Sequence, residues 1–512
     1  MGSARGRWVL LATVLGSGMA MLDSTVVNVA LVRIGADLNA GFSGLQWTVN
    51  GYTLSLAALI LLGGSLGDRF GRRRVFVVGV IWFALASLLC GLAPTLPVLV
   101  AARALQGVGG ALLTPGSLAI ISASFAAADR AAAVGAWSGL AGIAAAVGPF
   151  IGGWLVQLSW RAVFLINLPV ALGIVLVARR HVPESRDPQV SGSVDAPGAV
   201  LVTAGLAAVT LALTGPGGGG WRPAVGALGV ALLVAFGLVE RRATQPLLPP
   251  SLLTNRPFLA ANAVTLFVYA ALGVVFVLLV LQLQLVAGFD PLRAGSALLP
   301  VTGLMLAFSG RAGALAQRIG PRLPMTCGPL LSALGLLALL RVGPRASYPD
   351  DVLPGLLLFG AGLALTVAPL TSSVLDAADM RRAGTASAVN NAVARAAGLL
   401  ALAVVPGLAG LSGAGYRDPH RFDQGFRTAI LICAGLLAAG GVLALVTIRR
   451  PPAPNAAPTP PAPDTAPAPA ATATGGRIPL ETCAHCGTTG PQLYPVEPRS
   501  PSDSASPSAS AG

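Results

Sequence analysis

The sequence predicts an all-α integral membrane protein of fourteen transmembrane helices, arranged as two six-helix bundles with two helices inserted between them. Three observations predict it: a composition too apolar for water, a regular series of apolar runs each long enough to cross a bilayer, and a glycine-arginine loop that recurs once in each half of the chain.

The 512 residues are 54% hydrophobic and only 10% charged, with a mean hydropathy of +0.76. A water-soluble domain does not reach that balance. The 64 glycines fit the same setting, because small residues let membrane helices approach closely where lipid supplies no hydrophobic drive between them. A net charge of +14 could suggest nucleic acid, but such a binder carries a basic stripe interleaved with aromatics on a soluble surface. Here the arginines sit in short loops between apolar runs, which is a topology signal. The expected surroundings are therefore a lipid bilayer, with no nucleic-acid partner. Cys90, Cys327 and Cys433 fall inside apolar runs, so no disulfide framework is expected.

A bilayer core of roughly 30 Å takes about 20 apolar residues in helical form. Runs of that size lie at 8–30, 46–66, 75–92, 96–120, 131–156, 162–179, 197–215, 223–239, 258–286, 294–316, 323–340, 352–374, 383–410 and 426–448. Arg5 and Arg7 precede the first run as in a signal peptide, but the run continues through Ala30 without a cleavage context and reads as a retained helix. Placing the N-terminus in the cytoplasm puts about twenty loop arginines on that side against about nine outside. An even number of spans, with both termini cytoplasmic, is the arrangement that keeps this bias.

The loop after the second run, Gly64 to Arg73, reads GSLGDRFGRR, and Gly313 to Arg322 after the tenth reads GALAQRIGPR. The echo sets the expected organisation: a six-helix bundle over 1–180, two inserted helices with linkers over 181–257, a second bundle over 258–448, and a tail over 449–512. The tail is rich in Pro, Ala, Ser and Thr and is expected to be disordered. Its Cys483, His485 and Cys486 form half of a metal-site pattern without a second cysteine pair, so no metal is expected.

Four features carry chemistry. In the first loop, Gly67 and Gly71 permit a tight turn, and Asp68 stands beside Arg69, Arg72, Arg73 and Arg74 at a helix end, where it can latch to a neighbouring helix or arginine. Asp23 is the one acid placed well inside a span, where a carboxylate is expensive unless paired, so it is the best proton carrier in the chain. The plain alternative is an aspartate that only hydrogen-bonds an adjacent helix. Arg103 lies several residues into the fourth run with Gln106 on the same face, and Arg395 is a second intramembrane cation beside Asn390 and Asn391, either lining a cavity or structural. Gly135, Gly139, Gly142, Gly148, Gly152 and Gly153 form a small-residue seam in the fifth run, interrupted by Pro149.

With these residues in hand, the chain closely resembles the major facilitator superfamily, and within it the fourteen-span drug:proton antiporters. Gly64, Asp68, Arg69, Gly71, Arg72 and Arg73 resemble that family's loop between helices 2 and 3, implied to be the cytoplasmic gate. RALQGVGGA, with Arg103 and Gln106, resembles the fourth-helix signature implied in proton coupling, and VGPFIGGWL, with Gly148, Pro149, Gly152 and Gly153, the fifth-helix signature of exporters. LDSTVVNVAL, with Asp23 and Asn28, resembles the first-helix signature of the fourteen-span group. The resemblance covers residues 8–448, and the second-half echo departs from it at Gln317, where an acid is missing.

The resemblance implies a major facilitator fold and a monomeric secondary active transporter, not an enzyme, in the bacterial cell membrane. It would exchange small toxic compounds such as drugs and antibiotics for protons by alternating access, with the proton gradient in place of any cofactor. Asn28, Asn390, Asn391 and Arg395 would line its substrate cavity. Two alternatives stand beside it: export of one endogenous metabolite or self-made antibiotic, and a membrane sensor or scaffold that does not transport.

Overall fold

The structure, a computed structural model, describes residues 4–448 apart from 126, 187–194, 216–219, 244–245, 249–251, 253, 378–382 and 412–414. The tail with Cys483, His485 and Cys486 lies outside the described residues.

The chain folds as α1 (Ala4–Asp37), α2 (Phe42–Phe70), α3 (Arg72–Leu92), α4 (Leu96–Ser124), α5 (Ala127–Leu158), α6 (Ala162–His181), α7 (Ala196–Thr214), α8 (Trp221–Glu240), α9 (Arg256–Leu285), α10 (Pro291–Ile319), α11 (Arg322–Arg341), α12 (Tyr348–Asp376), α13 (Ala383–Leu408) and α14 (Pro419–Thr447). Thirteen of these are long and apolar enough to cross a membrane among the described residues; α5 is a 32-residue helix whose described apolar stretch is Val147–Leu158. Every apolar run of the sequence lies in one helix. Most helices extend beyond their runs, because polar residues such as Arg33 and Asp37 continue α1 past the hydrocarbon length. Turn chemistry sets several starts: Asp195, Asn255 and Asp418 cap α7, α9 and α14 with their side-chain oxygens, each just before a proline-bearing first turn.

Helices α1 to α6 pack on one another, α9 to α14 do likewise, and α7 and α8 pair together. α7 also rests on both α2 and α13, where Leu54 and Ala58, Leu206, and Leu399 share an apolar cluster. Large apolar side chains such as Leu85, Leu89, Val234 and Leu238 point outward, the surface a lipid solvent calls for.

Close backbone approach holds the bundles together. A Cβ on Gly109 of α4 would lie 2.7 Å from the backbone nitrogen of Phe83 in α3. In α5, Gly148 and Gly152 press on Thr25 and Val26 of α1, while Gly153 meets Leu292 and Gly295 meets the Pro149 carbonyl, so the seam joins α5 to α10 as well as to α1. Hydrogen bonds between the bundles run from Gln46 to the Leu402 carbonyl (2.6 Å), Gln284 to Val29 (3.1 Å), Tyr416 to Ala40 (3.0 Å) and Arg417 to Gly35 (3.1 Å). All of these sit at the end of the molecule that carries the α1–α2, α9–α10 and α13–α14 connections.

Gly109→Val is expected to force α3 and α4 apart at a cost of about 1–3 kcal/mol, lowering the thermal unfolding midpoint of the detergent-solubilised protein. Gly135→Ala, with nothing within 4 Å of its new methyl, is expected to leave the midpoint unchanged or raise it.

Candidate functional site

The chemistry concentrates in a sealed polar network inside the first bundle. Asp23 of α1 is 0% exposed and Arg103 of α4 is 1% exposed, and they form an ion pair of 2.6 Å between Oδ2 and Nη1. Gln106, one turn beyond Arg103, accepts from the same Nη1 at 2.6 Å and donates to Asp23 Oδ1 at 2.8 Å. Asn167 of α6 donates to Asp23 Oδ1 at 3.0 Å, and Ser87 of α3 accepts from both Gln106 (2.6 Å) and Asn167 (3.1 Å). Arg103 Nε donates to the Thr48 carbonyl of α2 at 3.0 Å, and its guanidinium lies 4.5 Å from the centre of the Tyr52 ring. Helices α1, α2, α3, α4 and α6 thus each contribute to a single cluster.

Local sequence explains the geometry. Arg103 and Gln106 are three apart and share one face of α4. Gly107 and Gly109 flank that face, where side chains would collide with Tyr52 of α2 and Phe83 of α3, so α4 sits deep between them and its polar groups reach α1. The pair pays for its desolvation with short, charge-assisted contacts; removing one partner would strand the other in apolar surroundings.

The loop after α2 is a second, separate constellation. Asp68 pairs with Arg72 across the turn at 2.8 Å, and Arg72 reaches the Ala119 carbonyl of α4 at 3.5 Å. Gly71 has φ +108°, and a Cβ there would lie 2.7 Å from Glu184. Glu184, just past α6, accepts from the backbone N–H of Arg73 (3.1 Å) and Arg74 (3.2 Å), while the Ser185 carbonyl accepts from Arg72 N–H at 2.8 Å. The segment after α6 therefore satisfies the open N–H groups that begin α3. Arg69 lies beside Phe70, its guanidinium 5.6 Å from the ring centre.

The remaining sequence candidates are distributed. Asn390 of α13 donates to Asn262 (3.1 Å) and Thr265 (2.8 Å) of α9, and exposed Asn391 bonds back to the Ser387 carbonyl of its own helix at 3.0 Å. Asn28 has a buried Oδ1 without a partner, as does Arg395 at Nε. Tyr52 and Tyr269 are the titratable side chains in the vicinity of Arg395. Sequence reasoning brought Asp23, Arg103 and Gln106 forward but missed Ser87, Asn167, Thr48 and Glu184. A lone Ser or Asn in a span, or an acid in a loop, carries no pattern of its own. Asp23, Arg103 and Gln106 are grouped as coupling neighbours by the sequence; the fold adds the direct contacts and a second amide, Asn167.

The sequence model of the Major Facilitator Superfamily matches residues 13–402. A puromycin resistance protein of Streptomyces alboniger is 35% identical over 458 residues, covering 86% of this chain and 91% of the relative. The tetracenomycin C resistance and export protein of Streptomyces glaucescens is 35% identical over 409 residues, covering 78% of this chain and 76% of that protein. Among solved structures, an inward-facing, unoccupied bacterial homologue of the human lysosomal transporter Spinster superposes with a TM-score of 0.64 at 17% identity, over 88% of this chain and 98% of that one. That likeness shows the fold.

Arg103→Gln alone is expected to destabilise the protein by about 3–5 kcal/mol, because Asp23 is left buried without its cation. The double variant Asp23→Asn/Arg103→Gln is expected to recover part of that loss, measured as thermal unfolding midpoints in detergent.

Proposed function

The chain belongs to the major facilitator superfamily, a family of membrane transporters for small molecules, and on that footing we propose that it is a proton-driven antiporter exporting drugs and antibiotics. The resistance and export roles of its relatives support the cargo. The observation that carries the proton is the occluded Asp23–Arg103 pair, an acid and a base at 2.6 Å inside a transmembrane bundle.

The proposed cycle follows from that pair. A proton arriving on an Asp23 oxygen removes the charge that holds Arg103 and two amides. The guanidinium then keeps Gln106, the Thr48 carbonyl and the Tyr52 and Phe164 rings, none of them on α1, so α1 and α4 are free to shift relative to each other. Loss of the proton on the opposite side restores the pair and resets the bundle. With both termini in the cytoplasm, the end closed by Gln46, Gln284, Tyr416 and Arg417 faces outward, and the molecule is in the state that loads cargo from the cell. The Asp68–Arg72 and Glu184 contacts then form the cytoplasmic latch within the first bundle, and Gly148 to Gly153 the joint on which α5 turns against α10. In this reading a monomer in the bacterial cell membrane is the working unit. A narrower second reading, export of one self-made antibiotic, is favoured by the single compounds in the names of both relatives; a resistance screen in an efflux-deficient host, with and without an uncoupler, separates the two.

Asp23→Asn leaves Arg103 buried without its anion and is expected to be less stable; compared at equal amounts of folded, reconstituted protein, it is expected to lose pH-gradient-driven drug uptake in inside-out proteoliposomes. Wild-type antiport in that variant would contradict the assignment.

A further inference from the structure

Arg395 is the charged residue that the coupling network leaves unused. It sits mid-way along α13, the helix of the second bundle that packs on α2 of the first, and α13 also packs on α9. Among the described residues it makes no hydrogen bond and no ion pair, and its Nε is buried without an acceptor. Tyr52 of α2 and Tyr269 of α9 are the titratable side chains in its vicinity, and among the described residues no carboxylate is paired with it. Asp23, the acid deep in the neighbouring bundle, is 0% exposed and already committed to Arg103, Gln106 and Asn167.

An unpartnered guanidinium inside a membrane protein is costly, and such residues persist where a ligand or an ion completes them. A structural arginine would be expected to hold a carbonyl or a carboxylate, as Arg103 does and as Arg322 does with the Leu445 carbonyl at 2.8 Å. Arg395 holds neither. The charge available to cargo at the contact between the bundles is thus positive, flanked by two tyrosines. Cations would be repelled there, and the donor fork of a guanidinium matches a carboxylate or an ionised phenol.

We propose that Arg395 is the recognition site for the acidic group of the cargo, and that the exported compounds are small apolar organic anions. This deepens the export reading and rests on it. Tyr52 of α2, the helix on which α13 packs, carries the Arg103 guanidinium over its ring and donates its hydroxyl to the Ala20 carbonyl of α1 at 3.3 Å, so the helix facing α13 is tied directly to the coupling network.

The test uses the full-length protein and two dyes that share a xanthene ring but differ in charge, fluorescein as the anion and rhodamine 6G as the cation. Binding is read by fluorescence anisotropy in detergent, and transport in proteoliposomes with an imposed pH gradient. The wild type is expected to bind fluorescein at least about tenfold more tightly than rhodamine 6G and to move it against the proton gradient. Arg395→Gln is expected to lose about tenfold or more in fluorescein affinity, while Arg395→Lys, which keeps the charge, retains most of it and guards against a folding defect. Equal or tighter binding of rhodamine 6G, no binding of fluorescein, or unchanged fluorescein affinity in Arg395→Gln would overturn the proposal. Proton-driven export of rhodamine 6G alone would remove the anion inference and leave the exporter standing. Arg395-dependent fluorescein binding without proton-driven movement of either dye would do the reverse.

Discussion

The ion pair between Asp23 and Arg103 is the constraint around which the first bundle is arranged. Two opposite charges fully removed from water are tolerable only when every remaining donor and acceptor is met, and five helices supply the parts. Gln106 is central to the economy of the cluster: its carbonyl oxygen takes the second contact of Arg103 Nη1, while its amide nitrogen serves Asp23 and Ser87. Because α1, α2, α3, α4 and α6 all meet in this one cluster, a change in the charge of Asp23 would act on five of the bundle's six helices.

Small residues are the second condition, and they act through distance. Gly107 and Gly109 bring α4 against α2 and α3 so that its arginine can reach α1. Gly148, Gly152 and Gly153 do the same for α5 against α1 and α10, placing one helix in contact with both bundles. Lipid offers no hydrophobic force to press these helices together, so contact area and hydrogen bonding must do it. The fifth-helix glycines are therefore positioned to couple a movement of α1 to the contact with α10.

Much of the fold was legible in the sequence, since bilayer thickness converts directly into run length and each apolar run became one helix. Ends were less legible. Residues such as Asp37 and Arg72 continue helices beyond the apolar stretch, where water tolerates them and a hydropathy window does not see them. At the site, Asp23 and Arg103 stood out because charge inside a span is expensive. That they act together followed from the family resemblance, while the 2.6 Å contact itself did not, since they are far apart in sequence and neither end of a long-range contact announces the other. Ser87 and Asn167 were invisible for a related reason: single polar side chains are common in spans, and only the three-dimensional meeting with Gln106 and Asp23 gives these two a role. Glu184 belongs to no motif in the sequence, while the fold uses it to close the start of α3.

The central claim is that the proton carried by this protein resides on Asp23. Infrared difference spectroscopy of the purified, reconstituted wild type across an acid titration tests it most directly. The expected result is a protonated-carboxyl C=O band that grows on acidification and includes a component that is lost in the same titration of Asp23→Asn, while the other acids, Glu240 among them, contribute equally in both proteins. An identical band in the two proteins would contradict it.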